Sequence, residues 1–375
     1  MTTRRQVLLS AAAAFTAATL RHSTLAADAA AERAAKPLRL LILGGTRFLG
    51  LHMTELALAR GHTVTFFNRG RTKTDRFAQV ERIVGDRNGQ LQGLKSRSFD
   101  AVIDNSGFVP RHVRLSAQLL AAEVPQYVFV SSISVYPNFA KPRGEDSPVG
   151  KLTDESNEKV DDATYGPLKA LCEHNLRKVY GKRATILRPG LIVGPDDNTD
   201  RFTYWPARAA RGGDFAAPGA AGDAIQYIDA RDFAAFALRC IERGTHGTFN
   251  VVTPPRTVSM GAMLEACVQS AAAQAKPATP PRPVWLPPAF LAAQKIQPWS
   301  DVPVWLPASG DTAAFAATPV SRALAAGLRC RPVAETVDAT LTWHLARPAA
   351  QRDSLKAGLT SAREAELLKA WRSRA

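Results

Sequence analysis

Cysteine is scarce and scattered. The 375 residues hold four, Cys172, Cys240, Cys267 and Cys330, and none belongs to a C-x-x-C pair. A disulfide scaffold, a zinc ribbon and a thioredoxin-type site are thereby excluded. His22, His52, His62, His112, His174, His246 and His344 lack metal-ligand spacing, so no metal site is assigned. Long apolar runs are missing as well: residues 7–20 form a moderately hydrophobic stretch shorter than the ~18 residues a membrane span requires. Acidic charge is the minority, 33 Asp and Glu against 48 Lys and Arg, for a net +15. The excess is spread along the chain with no block of about five or six basic residues, which reads as a diffusely basic soluble protein without a nucleic-acid partner. With 46% hydrophobic and 22% charged residues the composition is that of an ordinary globular chain.

What is present starts with an address. Arg4 and Arg5 stand just before the 7–20 stretch, and Arg21, His22 and the small residues Ala26, Ala27 and Ala29 follow it. Residues 1–29 resemble a twin-arginine signal peptide. The resemblance implies the twin-arginine export machinery as a partner, a periplasmic mature protein, and any cofactor carried out already bound.

The next part alternates strand and helix. Residues 38–43 are an apolar run of buried-strand type. It leads into Gly44-Gly45-Thr46-Arg47-Phe48-Leu49-Gly50, a helical pattern to Arg60, a turn at Gly61 and His62, and a strand over 63–67. Strand, glycine turn, helix and strand make a βαβ unit whose helix N-terminus suits a pyrophosphate. Further strands are expected over 80–84, 99–104, 126–130 and 184–187. They end at Gly85-Asp86-Arg87, Asn105-Ser106-Gly107, Ser131-Ser132 and Arg188-Pro189-Gly190. Polar and glycine residues at such ends are where open parallel sheets bind ligands, and the fold class is a doubly wound α/β sheet of Rossmann type. Residues 37–190 are read as the nucleotide-binding domain and 191–350 as a smaller substrate lobe partly interleaved with it. Residues 351–375 are read as a C-terminal helix, its helical pattern clearest over 361–371.

Tyr165 and Lys169 lie one helical turn apart on one face. A phenol beside an ammonium has its pKa lowered from the usual ~10, and such a tyrosine moves a proton to or from an alcohol. Pro167 between them fits only a first helical turn. Residues 131–136, Ser-Ser-Ile-Ser-Val-Tyr, supply hydroxyls to orient a carbonyl oxygen.

The glycine turn, the Ser-Ser-x-Ser-Val-Tyr segment and Tyr-x-x-x-Lys, in that order over about residues 37–255, resemble the extended short-chain dehydrogenase/reductases, the NAD-dependent epimerase/dehydratase family. The resemblance implies Tyr165 as acid/base, Ser132 as its hydroxyl partner, and Lys169 holding the nicotinamide ribose while lowering the tyrosine pKa. It puts Ser134 towards substrate and Pro189 and Gly190 beside the nicotinamide. Gly44, Gly45, Thr46, Arg47, Phe48, Leu49 and Gly50 would hold the pyrophosphate. Asn68, Arg69, Asp86, Arg87, Asn105 and Ser106 complete the expected cofactor contacts. Two departures matter. Arg47 replaces the second glycine of the usual turn and brings a guanidinium that suits phosphate, as in an atypical branch that includes reductase-like and chloroplast RNA-binding proteins. Asn68-Arg69-Gly70-Arg71 stands where an acidic residue would bind the ribose of NAD, which favours NADP while leaving NAD open.

Beyond residue 190 the signals thin out. Arg201, Tyr204 and Trp205 suit a sugar ring, though plain packing explains the two aromatics equally. Asp229 reads either as a helix cap or as a substrate contact. Residues 277–307, dense in proline and carrying Trp285, Trp299 and Trp305, read as an extended covering segment without helix or strand. A small sugar-like substrate, acted on by hydride transfer in an epimerase, dehydratase or reductase, is expected. The alternative is a non-catalytic nucleotide- or RNA-binding protein on the same fold. Family resemblance also implies a homodimer.

Overall fold

A computed structural model describes residues 33–72 and 75–374. The export segment expected over 1–29 lies outside the described residues. The first half runs β1 (Arg39–Leu43), α1 (Leu49–Ala59), β2 (Thr63–Asn68), β3 (Glu81–Val84), β4 (Ala101–Asp104), α2 (Pro110–Leu120), β5 (Tyr127–Val130), α3 (Tyr165–Tyr180) and β6 (Ala184–Pro189). The second half runs β7 (Ile192–Val193), α4 (Tyr204–Ala210), β8 (Asp214–Pro218), β9 (Ile228–Asp229), α5 (Ala230–Glu242), β10 (Gly247–Val251), α6 (Met260–Gln274), β11 (Arg282–Leu286) and α7 (Pro288–Ala293). It closes with α8 (Ser321–Ala325), α9 (Val333–Leu345), α10 (Ala349–Arg352) and α11 (Ser361–Arg372). Among the described residues no helix is long and apolar enough to cross a membrane.

Seven strands form one sheet in the order β10-β6-β5-β4-β1-β2-β3, every neighbouring pair parallel. Central strands of such a sheet are covered on both faces, so they read as continuous apolar runs rather than alternating ones. Leu40, Leu41, Ile42 and Leu43 of β1 are accordingly fully buried. Ile42 and Phe66 pack with Met53 of α1 and Phe233 of α5 on one face. Leu41 and Phe129 pack with Val113 of α2 and Leu176 of α3 on the other. This is the doubly wound sheet expected from the sequence. One of its two edge strands, β10, comes from beyond residue 190, so the two halves of the chain share one sheet.

A second core around Trp205, Phe215, Trp305 and Leu367 holds the C-terminal lobe together. Here the sequence reading needs two corrections. Residues 277–307 contain a strand and a helix, β11 and α7. β11 pairs parallel with β8 in a two-stranded sheet, with Pro283 opposite Phe215. Both strands of a two-stranded sheet are edges, the setting in which proline is tolerated, and Pro288 stands in the first turn of α7. The C-terminal helix begins only at Ser361, where the Thr360 side chain accepts a hydrogen bond from the Arg363 N–H and caps α11. Asp229 does the same for α5, accepting from the Arg231 N–H, which settles its structural part.

Candidate active site

The C-terminal ends of the sheet strands open into one cleft of roughly 1690 Å³. Its floor at one end is the turn after β1. Gly44 and Gly45 take left-handed φ of 109° and 84°, and the space around them is closed to side chains. A Cβ on Gly44 would stand 2.5 Å from Asn105 Oδ1, and one on Gly50 would stand 2.6 Å from the Gly45 Cα. Asn105 Oδ1 is buried with no hydrogen-bond partner among the described residues. The first turn of α1 carries no acidic residue and no side-chain cap, so its positive end is left for an anion. Thr46, Arg47, Phe48 and Leu49 also line the cleft, Arg47 exposed in it. A glycine cradle, an orphaned amide and an uncapped helix start fit a dinucleotide pyrophosphate.

The expected contacts beyond the pyrophosphate divide. Arg69 and Arg71 line the cleft, exposed and without an ion pair within 4 Å among the described residues. Asp86 lines it too; a hydrogen bond from the Asn88 backbone and the nearby Arg69 hold its carboxyl below the usual range. Asn68 lines it as well and braces the glycine turn: its Nδ2 donates to the Gly44 carbonyl (3.1 Å) and its Oδ1 accepts from the Gly70 N–H (2.9 Å). Arg87, expected near the adenine, lines the cleft and is also tied into its wall. Its guanidinium forks onto the buried Asp104, with Nη2 to Oδ2 at 2.7 Å, and also donates to Ser106, Ser116 and the His112 carbonyl. Burial works against ionised Asp104, but this partner and the Tyr127 hydroxyl keep its carboxyl below the usual value. Arg87 therefore props the cleft wall. Ser106 donates to the Leu43 carbonyl (2.8 Å), fastening β4 to β1 beside Asn105.

At the middle of the cleft, α3 starts at Tyr165, so Pro167 falls in its first turn, as the spacing requires. The start of the helix lies against the turn after β5: a Cβ on Gly166 would meet the Ser134 carbonyl oxygen at 2.0 Å. Only glycine permits this approach, which sets Tyr165 over Ser132 and Ser134. Ser132 Oγ accepts from the Ser134 N–H and donates to Ser134 Oγ, both at 3.0 Å. Burial raises the Tyr165 phenol pKa, while the Ser132 hydroxyl and the Arg201 charge pull it down. Lys169 does not contribute to that balance, against the expectation from helix spacing. Its Nζ donates to the carbonyls of Val130 (2.6 Å) and Gly107 (2.8 Å) and sits 4.1 Å from the centre of the Phe129 ring. Burial lowers its pKa to about 8. Pro189 lies at the end of β6 on the cleft wall.

The sequence reading missed what holds this centre. Glu173, two turns beyond Tyr165 on the same helix, is fully buried and takes a fork from Arg188 of β6, at 2.8 and 2.6 Å. Ser131 Oγ donates to the same carboxylate at 2.6 Å. α3, β6 and the end of β5 are thereby locked to one another. The i, i+4, i+8 series Tyr165, Lys169, Glu173 was the available signal.

At the other end Arg201 lines the cleft and Tyr204 does not. Tyr204 is 2% exposed and packed edge-on against Trp205, so both aromatics belong to the lobe core. The aromatic surface of the cleft comes instead from Phe139, Trp299 and Phe315, whose rings meet edge to face at 4.9 and 5.3 Å.

The chain is 24% identical over 62% of its length to the chloroplast stem-loop binding protein of 41 kDa b of Arabidopsis thaliana and spans 63% of that protein. It is 26% identical over 58% of its length to human epimerase family protein SDR39U1, spanning 75% of it. The crystal structure of that human protein with NADPH superposes with a TM-score of 0.52 at 21% identity, over 81% of this chain and 99% of the human one. The Bordetella bronchiseptica enzyme WbmH, solved in complex with NAD+, gives a TM-score of 0.57 at 16% identity, over 83% of this chain and 99% of WbmH. Residues 40–252, which carry the glycine turn, Ser132 and Tyr165, match the NAD dependent epimerase/dehydratase family, and the chain belongs to it.

Proposed function

We propose that this protein is an NADP-dependent enzyme that epimerises or dehydrates a sugar-like compound, working in the periplasm after twin-arginine export. The observation that carries the reading is the meeting of Tyr165 and Ser132, from separate elements, in the same cleft as the glycine turn. Gly44, Gly45, Gly50 and Asn105 fit the pyrophosphate, and Arg47 adds charge beside it. Arg69 and Arg71 support NADP over NAD, since a guanidinium suits the extra phosphate.

The nicotinamide, when bound, supplies and accepts a hydride. Tyr165 Oη holds or gives the proton at the substrate oxygen, and Ser132 Oγ orients that oxygen. Lys169, pinned to the ends of β4 and β5 by its two carbonyl bonds, presents its ammonium to the cofactor end of the cleft. Export supports redox-neutral chemistry: a cofactor that leaves the cytoplasm inside the folded protein has no free pool to exchange with. It must return to its starting state within each turnover, as it does in epimerisation and dehydration.

The test is to purify the processed protein from the periplasmic fraction, denature it and identify the released nucleotide by mass. About one NADP per chain is expected. A protein that arrives empty and binds neither added NADP nor NAD overturns the reading. The Arabidopsis relative, named for stem-loop binding, favours a second reading as an RNA-binding protein. RNA affinity that falls steeply with salt and ignores Tyr165→Phe would support it.

A further inference from the structure

The geometry points to Arg201 as an anion-recognition residue, so that the substrate carries a carboxylate or a phosphate monoester rather than being a neutral sugar. This rests on the reading of the cleft as a substrate site and names the class of molecule it takes.

The charges of the cleft carry the argument. Its cations are Arg47, Arg69, Arg71, Arg87, Lys151, Lys169 and Arg201. Arg47, Arg69 and Arg71 belong to the cofactor end. Arg87 is closed by Asp104, and Lys169 is spent on two carbonyls. Lys151 is exposed at the rim. Arg201 alone is half-buried and without an ion pair within 4 Å among the described residues. Its Nε donates to Thr199 Oγ1 at 3.2 Å, which fixes the root of the fork. Nη1 and Nη2 are neither buried orphans nor donors to any described residue, so they face the open cleft. Behind them the Trp299 ring lies 5.6 Å from the guanidinium carbon and holds its plane.

Asp197 acts electrostatically on this fork but forms no ion pair with it within 4 Å. Asp197 is 1% exposed and accepts from the Thr199 N–H at 2.8 Å and from Thr199 Oγ1 at 2.7 Å. Burial raises its pKa, while the Arg201 charge acts against that rise. A planar fork with two free donors matches a carboxylate or one phosphate face. The surrounding wall of Phe139, Trp299 and Phe315 offers stacking surface beside it. Arg201 and Tyr165 line the same cleft, and Arg201 acts electrostatically on the phenol.

The test uses the processed protein loaded with NADP. Calorimetry compares D-glucuronate, D-glucose 6-phosphate and methyl β-D-glucoside, on wild type and on Arg201→Met. At least one anionic probe should bind about tenfold or more tightly than the neutral glycoside, and Arg201→Met should abolish that preference. Whether glucuronate or glucose 6-phosphate leads tells carboxylate from phosphate. Thermal stabilisation of Arg201→Met by NADP should equal that of wild type, showing an intact fold. Equal response to charged and neutral probes, none measurable for either included, overturns the inference, as does a preference that survives in Arg201→Met. The two failures separate: a protein that takes up no nicotinamide nucleotide overturns the functional reading, whereas uptake without charge preference overturns only this inference.

Discussion

Burial lifts the Tyr165 phenol pKa above its usual value, and Ser132 and Arg201 act against that lift. A raised phenol pKa keeps the proton on the oxygen at neutral pH, which suits proton donation to a carbonyl. Alcohol oxidation needs the phenolate, so its rate should climb with pH through the alkaline range. Tyr165→Phe removes the proton carrier without changing shape, and a fall in kcat of about 10²- to 10⁴-fold is expected. Equilibrium binding of NADP should be unchanged, because the glycine turn lies elsewhere. Titration of the nucleotide beside steady-state turnover checks both halves; full activity in the variant would remove Tyr165 from the chemistry. Identity and spacing picked out Tyr165, Ser132, Ser134 and the glycine turn, and the fold brings all of them to one cleft. They did not show the hydrogen bonds that Lys169, Arg87 and Asn68 make to the surrounding frame, because which atom accepts a side chain's hydrogen bond depends on strands that meet only in the fold.

At the scale of elements, the site is a contact between the start of α3 and the turn after β5, and Gly166 controls its closeness. In the sequence, Gly166-Pro167 reads as punctuation at a helix start. In the structure the glycine lets the Ser134 carbonyl come where a Cβ would stand, 2.0 Å away. Gly166→Ala must push α3 from the serine turn, and backbone cannot yield there as a flexible side chain does. We expect a loss of about 1–3 kcal/mol in stability and a fall in kcat larger than the change in NADP affinity, since the move separates Tyr165 from Ser132. Denaturant melts with parallel kinetics decide it; a variant with wild-type stability and rate would show that the contact is loose. Strands β1, β4 and β5 were legible as apolar runs, and β2, β3 and β6 as short segments carrying β-branched or aromatic residues between turn residues. β11 was not, because proline within it argued against a strand and only its pairing with β8 creates the edge that tolerates proline.

Across the whole molecule, the C-terminal lobe is closed by a helix more than a hundred residues from its partner in sequence. Arg208 of α4 donates to Glu364 of α11 at 2.5 Å, and both side chains are buried, at 8% and 5% exposure. Glu364 also accepts from the Ala216 N–H of β8 at 3.2 Å, while Arg208 donates to the carbonyls of Gly212 and Asp214 at 2.8 and 2.7 Å. The pair thus joins α4, β8 and α11 under the core of Trp205, Phe215 and Leu367. The sequence showed a helical tail but not its berth, since nothing distinguishes Glu364 from the neighbouring Glu366 in a polar helix. Removing the carboxylate leaves the Arg208 charge buried with two carbonyls for company, and breaking such a pair costs about 3–5 kcal/mol. Glu364→Ala should therefore lower the stability of the chain by about that amount. Arg208→Met with Glu364→Leu, which removes both charges, should recover most of the loss. The lobe supplies Arg201 and Trp299, so the single variant should also weaken substrate saturation before it weakens NADP binding. Thermal melts of the three proteins with and without NADP separate the cases: equal melts for wild type and Glu364→Ala would mean that α11 is held by its apolar face alone.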